Sequence, residues 1–328
     1  MQDTGVTKPG PAGAGTETAL RLLRHQVVSM LLILILIWIV LALLSPYFFT
    51  VTNLFEITLQ SAVFAIIAAG ETFVIFSGGI DLSVGSVFAL SAVVGGIFFR
   101  VSGSAFLGVL TSLATGMTAG IINGLFISRL KVPPFVATLG MMGIARGLAL
   151  IAVNGIPIYG LSKEYMWIGQ GRVAGVIPVP TIIVAVIFVL AYLVLNYTRF
   201  GRFSYAIGSN SESARLSGVN IVGVTIGIYA VAGMLSALAG IIESARLGTV
   251  QPAGGDGYEL LAIGAVVIGG TSLFGGEGNI IGTLIGALLV TTIRNGLNLL
   301  GVYAFWQYVV NGFIIILAVA IDQVRRRR

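Results

Sequence analysis

A carboxylate inside an apolar helix costs at least a few kcal/mol unless it faces protein or water. Glu71 stands inside such a run, at 54–76. Successive helical residues turn by about 100°, so Glu56, Gln60 and Glu71 fall within about 60° of one another. They form one polar stripe, expected to face the interior of a helix bundle. Such a stripe serves either a hydrated pathway or hydrogen bonds between helices, and spacing does not choose between the two. The run 279–299 repeats the pattern, with Thr291, Arg294, Asn295 and Asn298 inside a sector of about 100°. Arg294 is a candidate partner for an acid such as Glu71. Glu243 and Arg246 have the i,i+3 spacing of a local ion pair.

Asp81 follows Gly78 and Gly79 and precedes Leu82-Ser83-Val84. That placement suits an N-cap, because a carboxylate accepts from free backbone N–H groups. Asp81 and Ser83 can also shape a gate or cavity, and the two roles are compatible. The polar segment 199–220 reads Arg199-Phe200-Gly201-Arg202, then Gly208-Ser209-Asn210-Ser211-Glu212-Ser213-Ala214-Arg215-Leu216-Ser217-Gly218. Asn210 or Ser211 is placed to cap a short helix that Gly218 ends. An ordered surface helix between spans needs a reason, and docking of a partner supplies one.

Other chemistries find no residues. Cysteine is absent, which excludes disulfides and thiolate chemistry. One histidine, His25, cannot build a metal site and reads as an interfacial residue beside Arg21 and Arg24. The lysines Lys8, Lys131 and Lys163 do not follow glycine, so no P-loop exists and any ATP is hydrolysed by another chain. Scattered carboxylates argue against a membrane enzyme.

The elements that must hold these residues are membrane helices. The chain is 57% hydrophobic and 9% charged, with mean hydropathy +1.03, whereas soluble domains carry about 25% charged residues. The net charge of +6 is not gathered on one polar face, as nucleic-acid binding requires. Spans of about 20 apolar residues are expected near 27–44, 54–76, 83–99, 105–128, 134–153, 178–197, 221–245, 258–272, 279–299 and 302–321. The first is longer than a signal-peptide core of about 7–15 residues and is expected to be retained. Those at 83–99 and 258–272 are short and Gly-rich, and read as broken or re-entrant elements. Residues 1–19 read as a flexible cytoplasmic tail, and 20–328 as a single transmembrane domain.

Positive charge sets the orientation. Lys8, Arg21, Arg24, Arg129, Lys131, Arg199, Arg202, Arg215 and Arg325 to Arg328 fall on one side, against Arg100, Lys163, Arg172 and Arg246 on the other. Both termini are therefore expected in the cytoplasm. Arg146 and Arg294 lie inside spans. One internal echo, G-G-x-x-L-x-x-G, occurs at Gly78 to Gly85 and at Gly269 to Gly276. Paired glycine interruptions in two halves of a transporter point to a substrate path, although a chain with 45 glycines can produce such an echo by chance.

Several motifs carry a family resemblance. They are Ser45-Pro46-Tyr47-Phe48-Phe49, Ser77-Gly78-Gly79-Ile80-Asp81-Leu82-Ser83-Val84-Gly85-Ser86, Ala214-Arg215-Leu216-Ser217-Gly218-Val219, Gly240-Ile241-Ile242, Gly257-Tyr258-Glu259-Leu260, Ile268-Gly269-Gly270-Thr271-Ser272-Leu273 and Asn295-Gly296-Leu297-Asn298. In this order, over about 27–322, they resemble the ribose-type permeases of bacterial ABC importers. The resemblance implies an all-α polytopic fold like that of the vitamin B12-type importer permease, with about ten transmembrane helices, in the bacterial inner membrane. It implies an ATP-binding cassette ATPase, a periplasmic sugar-binding protein, and a second permease copy, identical or closely related. Glu212, Ala214, Arg215 and Gly218 match the ATPase-coupling loop, although Ser213 departs from the E-A-A–G element. A monosaccharide such as ribose would cross by alternating access, without cofactor, metal or covalent chemistry in this chain. Candidate path or gate residues are Glu71, Gly78, Gly79, Asp81, Ser83, Asn123, Arg294 and Asn298. The competing expectation is a carrier driven by an ion gradient, for which Glu71 and Arg294 would suit an ion site.

Overall fold

The computed structural model describes residues 26–326. The expected tail at 1–19, together with Arg21, Arg24, His25, Arg327 and Arg328, lies outside the described residues. Five helices come first: α1 (Gln26–Leu44), α2 (Val51–Phe76), α3 (Val84–Ser102), α4 (Ala105–Ser128) and α5 (Pro134–Ala152). A short α6 (Lys163–Gln170) and an antiparallel hairpin, β1 (Arg172–Val173) with β2 (Ile177–Pro178), precede α7 (Val179–Tyr197). The chain continues as α8 (Arg199–Ser209), α9 (Ser211–Leu216), α10 (Ile221–Leu247), α11 (Tyr258–Ile268), α12 (Ile280–Leu299) and α13 (Ala304–Arg326).

Among the described residues, eight helices are long and apolar enough to cross a membrane, namely α1 to α5, α7, α10 and α12. The architecture is that of an all-α polytopic membrane protein. The interruption expected at 83–99 lies wholly before the helix, since α3 runs unbroken over 84–102. The one expected at 258–272 is real: α11 stops at Ile268, and Gly270 follows with φ +84°.

Three helices make the centre. α2 begins where the Thr50 hydroxyl accepts from the Asn53 N–H (3.3 Å). From Ser61 to Phe76 it is buried on every side, and its small residues permit that. A Cβ on Gly70 would sit 3.0 Å from Ala232 Cα of α10. α4 presents Gly116, Gly120 and Gly124, one per turn, to the backbone of α10 at Gly233, Tyr229 and Ile226. Lipid offers no hydrophobic force to press two helices together, so close backbone approach over small residues supplies the contact. α1, by contrast, exposes Leu36 and Leu43 and packs on α12 through Met30, Leu34, Ile285 and Leu289, with the Trp38 indole N–H donating to the Thr292 hydroxyl (3.2 Å).

The polar stripe on α2 does not face inward along its whole length. Glu71 is fully buried, Gln60 is half-buried and Glu56 is exposed. At 26 residues, α2 is about 39 Å long, more than the ~30 Å of hydrocarbon, which is long enough for its first turns to emerge. There the Glu56 carboxylate lies 3.6 Å from Arg246. Arg246 also bonds Glu243 at 2.9 and 3.0 Å, the local pair that their spacing predicts.

Candidate functional site

The segment after α7 is ordered as two short helices. Thr198 caps α8, and the Asn210 carboxamide oxygen caps α9 by accepting from the Ser213 N–H (2.9 Å). Ala214 is buried against the main core, which pins α9 to the bundle. Glu212 and Arg215 point outward, joined at 3.0 and 2.5 Å. The guanidinium holds the Glu212 carboxyl below its usual range, yet both side chains are more than half exposed, so the pair adds little stability. Gly218 ends the turn with φ +83°, and its missing Cβ would point into open space.

Above this arm the two glycine interruptions meet. The Gly276 N–H donates to the Phe76 carbonyl (3.0 Å) at the end of α2. A Cβ on Gly275 would lie 2.7 Å from the Gly78 nitrogen and 3.0 Å from Gly208 Cα. A Cβ on Gly208, near the end of α8, would fall on the Phe76 carbonyl and 2.6 Å from the Gly276 nitrogen. The Tyr205 hydroxyl of α8 donates to the Gly278 carbonyl (3.3 Å), and its ring packs on Phe76 (4.5 Å between centroids). Both interruptions are thus seated on the same arm, backbone against backbone.

From Gly79 the chain turns back into the bundle. The Tyr229 hydroxyl stands 2.5 Å from where a Cβ on Gly79 would be, which keeps that position free of a side chain. The Asp81 N–H donates to Glu71 Oε1 (3.0 Å). Asp81 Oδ1 accepts from the Ser83 N–H (2.8 Å) and the Ser83 hydroxyl (2.6 Å), and Asn123 Nδ2 of α4 donates to Ser83 Oγ (3.0 Å). All four residues are at most 1% exposed. Asp81 is therefore not the N-cap of α3. The cap is Ser83, whose side chain makes no capping bond, while Asp81 closes a turn two residues ahead of it. The network ties α2, the turn and α4 together. Among the described residues, Glu71 Oε2, Asn123 Oδ1 and the Tyr229 hydroxyl are buried without a hydrogen-bond partner. Removing the Asn123 amide with Asn123→Ala is expected to cost about 1 kcal/mol, a typical net value for one hydrogen bond. The midpoint of thermal unfolding in detergent, compared with the parent, reads that loss.

Arg294 does not pair with Glu71. Its guanidinium lies over the Phe64 ring, 5.0 Å from the centroid, and Nη1 is buried without a hydrogen-bond partner among the described residues. Phe64 stands seven residues from Glu71 on α2, about two turns, which separates the two charges by roughly 10 Å along the helix. Asn298 is also away from the network, accepting from Gln307 Nε2 of α13 (2.6 Å). Thr291 and Asn295 do face inward, and Asn295 exchanges two amide bonds with Asn53 of α2 (3.1 and 2.7 Å). Sequence reasoning missed Gly208, Gly275 and Tyr229. Only the echo of Gly269 to Gly276 hinted at Gly275, and nothing local marks the other two.

Known proteins resemble this chain in sequence. The family described as branched-chain amino acid transport system / permease component matches residues 53–319. The ribose import permease protein of Escherichia coli K12 is 46% identical over 90% of this chain and 92% of its own length. That of Bacillus subtilis is 46% identical over 88% and 90%, and the fructose import permease protein of Rhizobium meliloti 39% over 94% and 90%. No solved structure matches. With a family match over most of its length and relatives this similar, the chain belongs to the branched-chain amino acid transport system / permease component family.

Proposed function

We infer that this chain is the multi-pass inner-membrane permease subunit of an ATP-driven importer, and that its cargo is a monosaccharide such as ribose. The observation that carries this reading is the likeness to ribose and fructose import permeases over about nine-tenths of the chain. The ordered α8–α9 arm fits the ATPase-coupling loop, with Glu212, Ala214, Arg215 and Gly218 as its contact residues. An ATP-binding cassette subunit docks there, and a periplasmic sugar-binding protein delivers the cargo at the opposite end. Both termini then lie in the cytoplasm. A second permease copy completes the path. Open space over Gly140, Gly143 and Gly147 on α5 leaves room for close approach of another helix. ATP binding moves the arm, the arm moves the two glycine interruptions, and the cavity switches sides. Gly78, Gly79, Asp81, Ser83, Glu71 and Asn123 act as the gate, held shut by their own hydrogen bonds. Arg294 and Asn298 lie on the helix packed against it.

The test uses the chain with the ATPase and binding protein of the same importer. The Cβ of Gly218→Trp would stand in open space, because nothing lies within 4 Å of it. Gly218→Ala brings the same positive-φ strain without the bulk. The expected result is co-purification of the ATPase with the parent and with Gly218→Ala, and roughly tenfold less with Gly218→Trp, the factor set by ~1.4 kcal/mol. No ATPase with the parent would refute the ATP-driven reading in favour of a carrier driven by an ion gradient.

A further inference from the structure

The segment between α10 and α11 does not run over the end of the bundle. Val250 packs against Gly96 of α3, where a Cβ would lie 3.0 Å from Val250 Cγ2, and its backbone bridges to Ile158 (3.0 and 2.9 Å). Five residues later, Gly255 packs against Gly85, 2.5 Å from a Cβ position to the Gly85 carbonyl. Gly96 and Gly85 lie three turns apart on one helix, roughly 16 Å. The chain therefore dives alongside α3, and α11 starts deep in the bundle. The antiparallel neighbour α4 fixes that depth. Ser83 bonds Asn123 (3.0 Å), which places Gly85 about two turns short of the end of α4.

This descent carries polar groups to membrane depth. Arg146 sits in the middle of α5, and its Nη1 donates to the carbonyls of Pro252 (3.3 Å) and Gly254 (2.6 Å). Non-helical backbone at such depth needs partners of this kind. Glu259 Oε2 lies 2.5 Å from where a Cβ on Gly85 would be, with Asp256 and Arg146 in electrostatic range. Gln251, Ala253 and Asp256 are exposed, and Arg146, Tyr258 and Glu259 are half-exposed. Tyr258 meets Phe64 and Phe88 edge-on, at 4.7 and 5.4 Å. Charged and amide side chains at this depth cannot rest against acyl chains without a cost of several kcal/mol. They need water or a polar solute.

We propose that this surface, formed by Gln251, Asp256 and Glu259 with Arg146 and the Tyr258 ring, is the transit site of a polyhydroxylated monosaccharide at membrane depth. It presents acceptors and donors for hydroxyl groups beside an aromatic ring suited to the C–H face of a sugar. The assignment rests on the sugar-import reading above. Arg146 acts as a positioning residue, holding the dive in place through two carbonyls.

The chain has no cysteine, so one engineered thiol reports cleanly. Ala253→Cys and Gln251→Cys are compared with Val189→Cys on the outward face of α7. Each is assembled with its ATPase and binding protein, exposed to a charged, membrane-impermeant methanethiosulfonate, and assayed for uptake of D-ribose. The expected result is labelling at 251 and 253 at least about tenfold faster than at 189, consistent with an aqueous rather than hydrocarbon surrounding. Labelling is expected to stop uptake, and D-ribose with ATP turnover to slow the labelling. Labelling no faster than at 189, in variants that still take up D-ribose, would overturn the proposal and mean that lipid or a tightly sealed second copy covers the surface. If the parent importer takes up no D-ribose, the cargo reading fails instead, while the labelling rates still decide whether this surface is wet.

Discussion

Gly120→Leu is expected to lower the amount of chain recovered from membranes by roughly tenfold, the shift produced by ~1.4 kcal/mol within an overpacking cost that reaches about 3 kcal/mol. A Cβ at Gly120 would collide with the Tyr229 carbonyl and lie 2.9 Å from Ala230 Cα. Backbone cannot rotate aside as a flexible side chain can, so α4 and α10 would have to separate. Their seam also holds Gly116 against Gly233 and Gly124 against Ile226, and parting at one turn loosens the next. The network at Asn123 sits on the same helix and would lose its register with Ser83. Gly312→Ala on α13 is the control, because nothing lies within 4 Å of its Cβ. Its recovery should match the parent. Quantitative immunoblotting of membranes reads both. Equal recovery of Gly120→Leu and the control would mean that the α4–α10 contact does not limit folding.

The sequence speaks clearly about what is local. Span positions follow from apolar runs, because every backbone group in lipid must be satisfied within its own helix. The cap at Asn210, the turn at Gly218 and the Glu243–Arg246 pair each depend on residues within four positions of one another. Burial of Glu71 was legible too, since a charge within an apolar run has few places to go. What stays hidden is the match between distant segments. Periodicity places Arg294 and Glu71 on inward sectors but says nothing of their heights, and two turns of helix keep them apart. The same blindness covers Glu56, whose helix is longer than the hydrocarbon core is thick. Gly254, Gly255 and Gly257 look like ordinary turn glycines, yet at Gly255 the missing side chain lets the loop press onto Gly85. The glycine echo is half an exception. It paired 78–85 with 269–276 on pattern alone, and the structure brings Gly78 and Gly275 into contact, but the echo gave no sign of Gly208, which completes the junction.

Gly208→Val is expected to reduce uptake by at least about tenfold, roughly 1.4 kcal/mol or more of lost coupling, while the ATPase still co-purifies. The two readouts separate because they belong to different ends of the arm. On the proposed reading, docking would use the exposed surface of α9 around Glu212, Arg215 and Gly218, which the substitution does not touch. Transmission would use the other end, where Gly208 lies against the Phe76 carbonyl and the Gly276 nitrogen. Branched carbons there would push α8 off the end of α2 and break the Gly276 N–H bond to Phe76. The arm would still receive the stroke of its partner but would no longer hold both glycine interruptions at once. Tyr205→Phe is the milder companion. It removes the hydroxyl bond to Gly278 but keeps the ring on Phe76, so its loss of uptake should be about twofold to fivefold, near the ~0.5–1 kcal/mol of one part-buried hydrogen bond. The measurement is uptake of D-ribose against ATP hydrolysis in the reconstituted importer. Hydrolysis that persists while uptake falls places the defect between arm and bundle. If uptake and ATPase association fall together, Gly208 serves docking and the junction is not a separate transmission step.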